Sequence, residues 1–175
     1  MKRGGAARFA VHNVLHTWLD VVIPRGDGDG WTHCAQGHKH WGIYGAAGLL
    51  LRHADGAGQI RVLLQHRALW SHHGGTWGIL GGARNSGETP VHTAAREAAE
   101  EAGFGPDRYE VVGEHVDDHD GWSYVTVVGR AAEAFHAPLL TAESLAVDWV
   151  HVERIHDLPL HPGFAASWAR TRNIG

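Results

Sequence analysis

The sequence contains one cysteine, Cys34, among 175 residues. A single thiol excludes an intramolecular disulfide and any structural zinc site built from several cysteines. Long apolar runs are also missing, because no stretch approaches the ~18 apolar residues of a membrane span. The basic N-terminal start is interrupted by polar residues before an apolar core of signal-peptide length accumulates. We therefore expect a soluble, cytoplasmic protein with no membrane partner.

The chain lacks an excess of positive charge. Fifteen Lys and Arg residues stand against nineteen Asp and Glu, which gives a formal net charge of -4. This balance provides no general attraction to polyanions, so we expect no nucleic-acid polymer as a partner. The composition is instead rich in hydrophobic residues at 43%, with eight Trp, and it includes sixteen His. It predicts a folded core of ordinary single-domain size whose charge is sensitive to pH near neutrality.

The first forty residues differ from the remainder. Apolar residues at helical spacing predict a helix over residues 6–22, and a Gly- and Asp-rich loop or irregular hairpin follows over residues 25–37. We therefore divide the chain into an N-terminal extension, residues 1–40, and a main domain, residues 41–175. The amphipathic helix and unpaired strand edges could serve a homodimer interface.

The main domain alternates strand-like and helical segments. An antiparallel pair is predicted over residues 45–52 and 59–66, and a hairpin over 109–116 and 122–128. Further strands are expected at 76–80 and 146–152, and helices from Thr89-Pro90 to Gly103 and over 163–172. This order favours a mixed α/β fold.

The mid-chain helix carries two contrasting faces. A stripe of small apolar residues suits close packing on a sheet: Val91, Ala95, Ala98 and Ala102. The other side clusters three carboxylates: Glu97, Glu100 and Glu101. Periodicity alone favours a solvated acidic surface. However, these carboxylates repel one another unless a cation lies between them, and three such heads suit a hard ion such as Mg²⁺.

The segment GARNSGETPVHTAAREAAEEAGF, residues 82–104, resembles the Nudix box. The nine defined positions of that motif are filled by Gly82, Glu88, Arg96, Glu97, Ala98, Glu100, Glu101, Gly103 and Phe104. So many specified positions over 23 residues make this a strong signal. Flanking strand-like segments extend the resemblance to residues 41–157, with Leu80 where many relatives have proline, a change we expect to alter loop stiffness more than chemistry.

The resemblance implies a Nudix fold, in which a mixed β-sheet is sandwiched between helices (α/β/α). It also implies hydrolysis of a diphosphate bond in a nucleoside diphosphate derivative, with Mg²⁺ or Mn²⁺ and a water nucleophile. On this basis Glu100 and Glu101 are the main metal ligands, joined by the Gly81 carbonyl. Glu97 is a further ligand or the base that orients the water, while Glu88 and Arg96 form a supporting pair.

Other positions around the motif are less specific. Some relatives take a further ligand or base from a downstream loop, for which the chain offers Asp117, Asp118, Asp120 and Glu143, although turns also use acidic residues structurally. The late strand has Ala146 where several relatives have an acid. Before the box, a loop carries Arg67, Trp70, His72 and His73. Of these, Arg67, Trp70 and His73 are our candidate substrate-binding residues. An equally weighted alternative is that Trp70 is a packed aromatic residue under a His-rich loop.

The segment WTHCAQGHKHW places His33, Cys34, His38 and His40 within metal-ligand reach. Because the spacing is not that of a standard zinc finger, we favour a structural loop over a zinc site. Trp122 and Trp149 are expected in the core.

Three functions fit the sequence. The first is a metal-dependent diphosphohydrolase whose small nucleotide substrate is a nucleoside triphosphate, ADP-ribose, a nucleotide sugar or a dinucleotide. The second is a non-catalytic sensor with the same fold, although such modules commonly lose carboxylates of the box and none is lost here. The third is an isomerase of isoprenoid diphosphates, which would need a suitably placed cysteine; Cys34 lies upstream of the domain.

Overall fold

A seven-stranded mixed sheet forms the centre of the molecule. The structure is a computed structural model that describes residues 26–175, so the helix predicted over residues 6–22 lies outside the described residues. The strands are β1 (Trp31–His33), β2 (Lys39–Trp41), β3 (Ala46–Ala54), β4 (Ile60–Arg67), β5 (Trp77–Gly78), β6 (Leu80–Ala83), β7 (Tyr109–Asp118), β8 (Ser123–Ala131) and β9 (Ser144–His151). The two long helices are α1 (Pro90–Ala102) and α2 (Pro162–Thr171). Short 3₁₀ helices cover Pro106–Arg108 and Val152–Asp157.

Strand β3 organises the sheet by changing its partner along its length. Its first half, from Ala46 to Leu49, pairs with β6, and its last residues pair antiparallel with β4. On its other side β3 runs parallel to β8, which pairs antiparallel with β7 at the sheet edge. Both predicted antiparallel pairs are confirmed. The single run predicted over residues 76–80 is wrong: β5 pairs with β4 and β6 with β3, because the chain crosses between the two partners at Ile79.

Two helical layers cover the sheet, which confirms the α/β/α prediction. Alternate residues of β3 point to opposite faces: Leu49 and Leu51 pack with the α1 side, whereas Leu50 packs with the α2 side. Helix α1 begins as predicted, with the Thr89 side chain accepting a hydrogen bond from the His92 amide at 3.2 Å. It ends at Gly103, whose φ of 69° is left-handed.

The buried stripe of α1 is rotated from the predicted one. Ala94, Ala98 and Ala102 are fully buried against the sheet, while Val91 and Ala95 are partly exposed. Glu101 is also buried, at 5% exposure, so the three glutamates do not form one solvated face. Small side chains let α1 approach the strands closely enough to carry a carboxylate into the interior.

The segment before the main sheet forms a hairpin of β1 and β2, with Trp31 opposite Trp41. The segment predicted as a loop or irregular hairpin over residues 25–37 therefore contains β1, the first strand of this hairpin. The hairpin is attached to the turn between β7 and β8, because the Ala35 amide donates to the Asp120 carbonyl at 2.8 Å. The Trp122 indole donates to the Gly42 carbonyl, also at 2.8 Å. The boundary at residue 40 stays a prediction. Within residues 26–175, no helix is long and apolar enough to cross a membrane.

Candidate active site

Glu101 is the most deeply buried acid of the site. Its Oε1 accepts a hydrogen bond from Gln65 Nε2 at 2.8 Å, and its Oε2 accepts one from the Gly81 amide at 3.1 Å. Burial raises the pKa of Glu101 to about 8, and the nearby Glu97 raises it further against the opposing effect of these two donors. A buried carboxylate of this kind is expensive unless a cation or proton compensates it.

Glu97 lies one helical turn earlier, directly against Gly82. A Cβ atom added at Gly82 would collide with the Glu97 carboxylate, so only glycine leaves room for it. Burial raises the pKa of Glu97 to about 7, although the Arg96 guanidinium opposes this effect. Glu100 is different, because its side chain is more than half exposed and contacts Arg96 at 3.1 Å.

Arg96 connects the helix to the preceding loop. Its Nε and Nη2 donate to the two oxygens of Glu88 at 2.8 and 3.2 Å, and Nη2 also donates to the Ala83 carbonyl at 2.8 Å. Its Nη1 donates to Glu97 Oε1 at 2.7 Å. Glu88 additionally accepts from the Asn85 amide and from Thr93 Oγ1. The hydrogen bonds from Arg96 are the main reason that the pKa of Glu88 falls to about 2.

The donor set fits a hard divalent cation. Glu97 and Glu101 offer carboxylate oxygens whose pKa values are raised by burial, and the glycine at position 82 leaves room for the Glu97 carboxylate. Oxygen donors suit Mg²⁺ and Mn²⁺ better than softer metals. The Gly81 amide donates a hydrogen bond to Glu101. That the Gly81 carbonyl and Glu100 are metal ligands stays a prediction.

A cavity of about 440 Å³ adjoins these groups. Gly81 and Gly82, which contact Glu101 and Glu97, are among its lining residues, so the carboxylates and the cavity meet at these two glycines. Side chains that line it with cationic, aromatic or imidazole groups are Lys39, His40, Trp41, Arg67, His72, His73, His119, Trp122, Tyr124, His161 and Arg170. A volume in this range accommodates a small organic ligand.

The three candidate substrate-binding residues do not all lie at the cavity. Arg67 and His73 line the cavity, and Arg67 Nε donates to the His72 carbonyl at 3.1 Å. Trp70 is 68% exposed and is absent from the lining residues among those the structure describes. The structure therefore brings Arg67 and His73, but not Trp70, to the cavity.

Of the downstream acids, only Asp117 reaches the cavity. It accepts a hydrogen bond from Arg170 Nη2 at 2.5 Å and lies 3.3 Å from His115 Nε2. Asp118 has a structural role, since its side chain accepts from the Asp120 amide within the turn. Glu143 is exposed, and its backbone carbonyl accepts from the Ala68 amide.

Sequence reasoning missed several residues of this site. Gln65 bridges Glu101 and Ser144 from inside β4, and a polar residue in the otherwise apolar run VLLQ was the signal for it. Tyr124 is buried beside Gly48 and Gly81, where burial and then the carboxylates of Glu101 and Glu97 raise its pKa. Arg170 and His161 come from the last part of the chain, and no local motif identified them.

The prediction that Trp122 lies in the core is wrong, because this residue is half-buried and lines the cavity. Its ring stacks on His40 with centroids 4.0 Å apart. Trp149 agrees better with the prediction, since it packs against the α1-side core and its indole donates to the Phe135 carbonyl.

Two groups of metal-ligating side chains contribute residues to the cavity wall. The ligand atoms of Cys34, His38, His40 and His119 all lie within 4.8 Å of one another, as do those of His72, His73 and His161. His119 replaces the predicted His33 in the first group.

The comparisons with known proteins agree with this geometry. The NUDIX domain family model matches residues 44–170. A Mycobacterium tuberculosis protein that carries the provisional name 8-oxo-dGTP diphosphatase 3 is 53% identical over 154 residues, which cover 85% of this chain and 70% of that protein. The crystal structure of RenU, a Nudix hydrolase from M. smegmatis, has a TM-score of 0.79 and 47% identity, with 84% of this chain and 94% of that chain covered.

A third relative is a nucleoside triphosphate pyrophosphatase/Nudix hydrolase fusion protein of Bifidobacterium longum. It is 43% identical over 152 residues, covering 82% of this chain but 30% of that protein. This chain therefore belongs to the Nudix family. It is an enzyme of the pyrophosphatase type found in that family.

Proposed function

We propose that this enzyme uses Mg²⁺ or Mn²⁺ to hydrolyse a diphosphate bond in a small nucleotide, with nucleoside triphosphates as the first substrates to test. The observation that carries the proposal is the meeting of the buried Glu101 and the partly buried Glu97 with a nucleotide-sized cavity at Gly81 and Gly82. Catalytic acids with strongly shifted pKa values concentrate in such clefts.

The cavity supplies both halves of nucleotide recognition. Arg67 and Arg170 bring positive charge to its wall, where phosphate oxygens can accept charge-assisted hydrogen bonds. Trp41 and Trp122 offer aromatic surface for a base. We therefore orient the phosphates towards the two glycines and the base towards the β1–β2 hairpin.

Glu97, Glu100 and Glu101 would hold the metal, which when bound supplies charge neutralisation on the phosphate oxygens and a lower pKa for a coordinated water. The protein groups provide the rest. Glu97 is also the candidate base that accepts a proton from the attacking water molecule. Arg96 fixes the position of Glu97 through the 2.7 Å hydrogen bond, and Glu88 fixes Arg96.

The relatives narrow the substrates to test. The M. tuberculosis relative is named for 8-oxo-dGTP and the B. longum relative for nucleoside triphosphates. We therefore place 8-oxo-dGTP first, followed by dGTP, other nucleoside triphosphates, ADP-ribose, nucleotide sugars and dinucleotides.

The test is product analysis of the wild type and Glu101→Gln with this panel and Mg²⁺ or Mn²⁺. The substitution keeps the side-chain shape but removes a charged ligand, so turnover should fall at least ~100-fold while circular dichroism stays unchanged. The exposed Glu110, in β7, provides the control, and Glu110→Gln should retain wild-type turnover. Full turnover by Glu101→Gln would refute the metal site. Nucleotide binding without cleavage by the wild type would favour the sensor.

A further inference from the structure

A group of ligating side chains outside the proposed site on α1 contributes two residues, His40 and His119, to the cavity wall. It consists of Cys34, His38, His40 and His119, whose ligand atoms all lie within 4.8 Å of one another. We propose that these four residues bind a structural Zn²⁺ ion.

The local backbone brings the first three ligands together. The Cys34 amide donates to the His38 carbonyl at 3.1 Å, and the Gly37 amide donates to the Cys34 carbonyl at 2.9 Å, which closes a tight turn. Gly37 adopts a φ of 82°, which glycine tolerates without strain. His40 follows on β2, where its ring stacks on Trp122. The turn therefore presents a thiol and two imidazoles from seven consecutive residues.

The fourth ligand comes from a distant part of the sequence. His119 lies in the turn between β7 and β8, where its amide donates to the Trp122 carbonyl at 2.8 Å. The next residue, Asp120, accepts the hydrogen bond from Ala35, so the two turns are held together by backbone contacts. The ring centroids of His119 and His40 are 4.7 Å apart. The fold thus positions His119 independently of any ion.

The chemistry of the four donors selects zinc. One thiolate and three imidazoles provide four nitrogen and sulfur donors, the number and kind that tetrahedral zinc binds, and such donors are unsuited to Mg²⁺. Tetrahedral zinc places neighbouring ligand atoms about 3.3 to 3.7 Å apart, so separations within 4.8 Å require only small side-chain adjustments. Cys34 is 5% exposed, which keeps the thiol away from bulk solvent.

One unsatisfied atom points to the same ligand. His40 Nε2 is buried, and within residues 26–175 it has no hydrogen-bond partner. A buried polar atom without a partner destabilises the folded state. Coordination would satisfy it, whereas a purely structural cluster of histidines leaves the cost unexplained.

The position of the site gives the ion a role. His40, His119 and Trp122 also line the cavity, and Lys39 lies between two of the ligands. Zinc would fix the β1–β2 hairpin to the β7–β8 turn and so hold one wall of the cavity. If the proposed function is correct, loss of zinc should raise KM more than it lowers kcat. Metal content tests the site without that assumption.

The experiment uses protein without an affinity tag. Zinc per chain is measured by mass spectrometry in the wild type and in four variants: Cys34→Ser, His119→Gln, His33→Gln and His161→Gln. We expect one equivalent in the wild type and in His33→Gln and His161→Gln, whose altered side chains lie outside the group, and loss of that equivalent in the other two. Zinc retained by Cys34→Ser but lost on His161→Gln would instead assign the ion to the other imidazole group and overturn the proposal.

A second measurement needs no variant to fold. Wild-type protein stripped of metal is titrated with Co²⁺, which occupies zinc sites and gives a thiolate-to-metal charge-transfer band when sulfur is a ligand. Because Cys34 is the only cysteine of the chain, such a band can arise only there. A saturable band at one equivalent, displaced by Zn²⁺ and not by Mg²⁺, is the expected result. Its absence would overturn the proposal.

Discussion

The loss of the Glu88 charge should destabilise the fold measurably. Glu88 accepts four hydrogen bonds, two of them from Arg96, and its side chain is mostly buried. These contacts lower its pKa from 4.5 to about 2, which corresponds to about 3 kcal/mol favouring the ionised carboxylate in the folded state at neutral pH. Glu88→Gln keeps the shape and some of the acceptor capacity. We expect it to lower the free energy of unfolding by about 2–3 kcal/mol.

The same difference should depend on pH. Because the pKa of Glu88 is lower in the folded state, its contribution is fully present above about pH 4.5 and is lost as the pH falls towards 2. The wild type loses about 1.4 kcal/mol of this contribution per pH unit in that range, whereas glutamine has no charge to lose. The gap between the two proteins should therefore be constant from about pH 7 to 5 and narrow by about 1 kcal/mol at pH 3.5.

Urea unfolding of both proteins at these pH values measures the effect. Glu133→Gln is the control, since Glu133 is 77% exposed and lies 3.6 Å from Arg108, a surface pair worth less than about 0.5 kcal/mol. A cost below about 1 kcal/mol for Glu88→Gln at neutral pH would refute the reasoning. So would a difference between the two proteins that does not change with pH.

Two further predictions concern the carboxylates of α1. Burial raises the pKa of Glu97 to about 7 and that of Glu101 to about 8. The stability that the protonated carboxyl groups contribute is therefore fully present below about pH 4.5 and is lost as the pH rises through those two values. Excess Mg²⁺ should consequently raise the melting temperature more at pH 8 than at pH 6, and an equal increase would contradict the proposed ligands. In turnover assays, Gly82→Ala should lower kcat at least ~10-fold, because the added methyl displaces Glu97. Gly56→Ala is the control and should have no effect on kcat, because a methyl group at position 56 would meet no neighbouring atom. Equal activity of the two variants would contradict the proposed contact between position 82 and Glu97.

The sequence predicted the part of the site that lies within one continuous segment. The Nudix box encodes the N-cap Thr89, the C-terminal Gly103 and the glutamates between them, and each of these depends on neighbours within a few residues. Local rules suffice there because helix caps and helical periodicity act over such distances. The same rules placed both antiparallel strand pairs, since turn residues separate their strands.

Helical periodicity did not predict how deeply each side chain is buried. Glu100 and Glu101 are neighbours in the sequence, yet one is more than half exposed and the other is buried. The difference arises from the partners on β4 and β6, namely Gln65 and the Gly81 amide, which lie 36 and 20 residues away in the chain. Only the sheet topology brings those donors to the end of α1.

The proposed zinc ligands show the same limit more strongly. His119 and Cys34 are separated by most of the domain, and they meet because the Ala35 amide pairs with the Asp120 carbonyl. A search for ligands within the hairpin alone therefore included His33, which is closer in sequence but lies outside the group. Sites built from two turns at one sheet edge cannot be recognised from the spacing within either turn.

The burial of Glu101 opposes stability, and this opposition argues for function. A carboxylate whose pKa is raised to about 8 costs the folded state free energy at neutral pH unless a cation binds. The Gln65 and Gly81 donors do not remove this cost, because they act against a larger effect of burial. An apolar residue at position 101 would pack on the same core without this cost in free energy. That the fold nonetheless keeps an acid there, beside Glu97, supports the proposal that this site binds a cation.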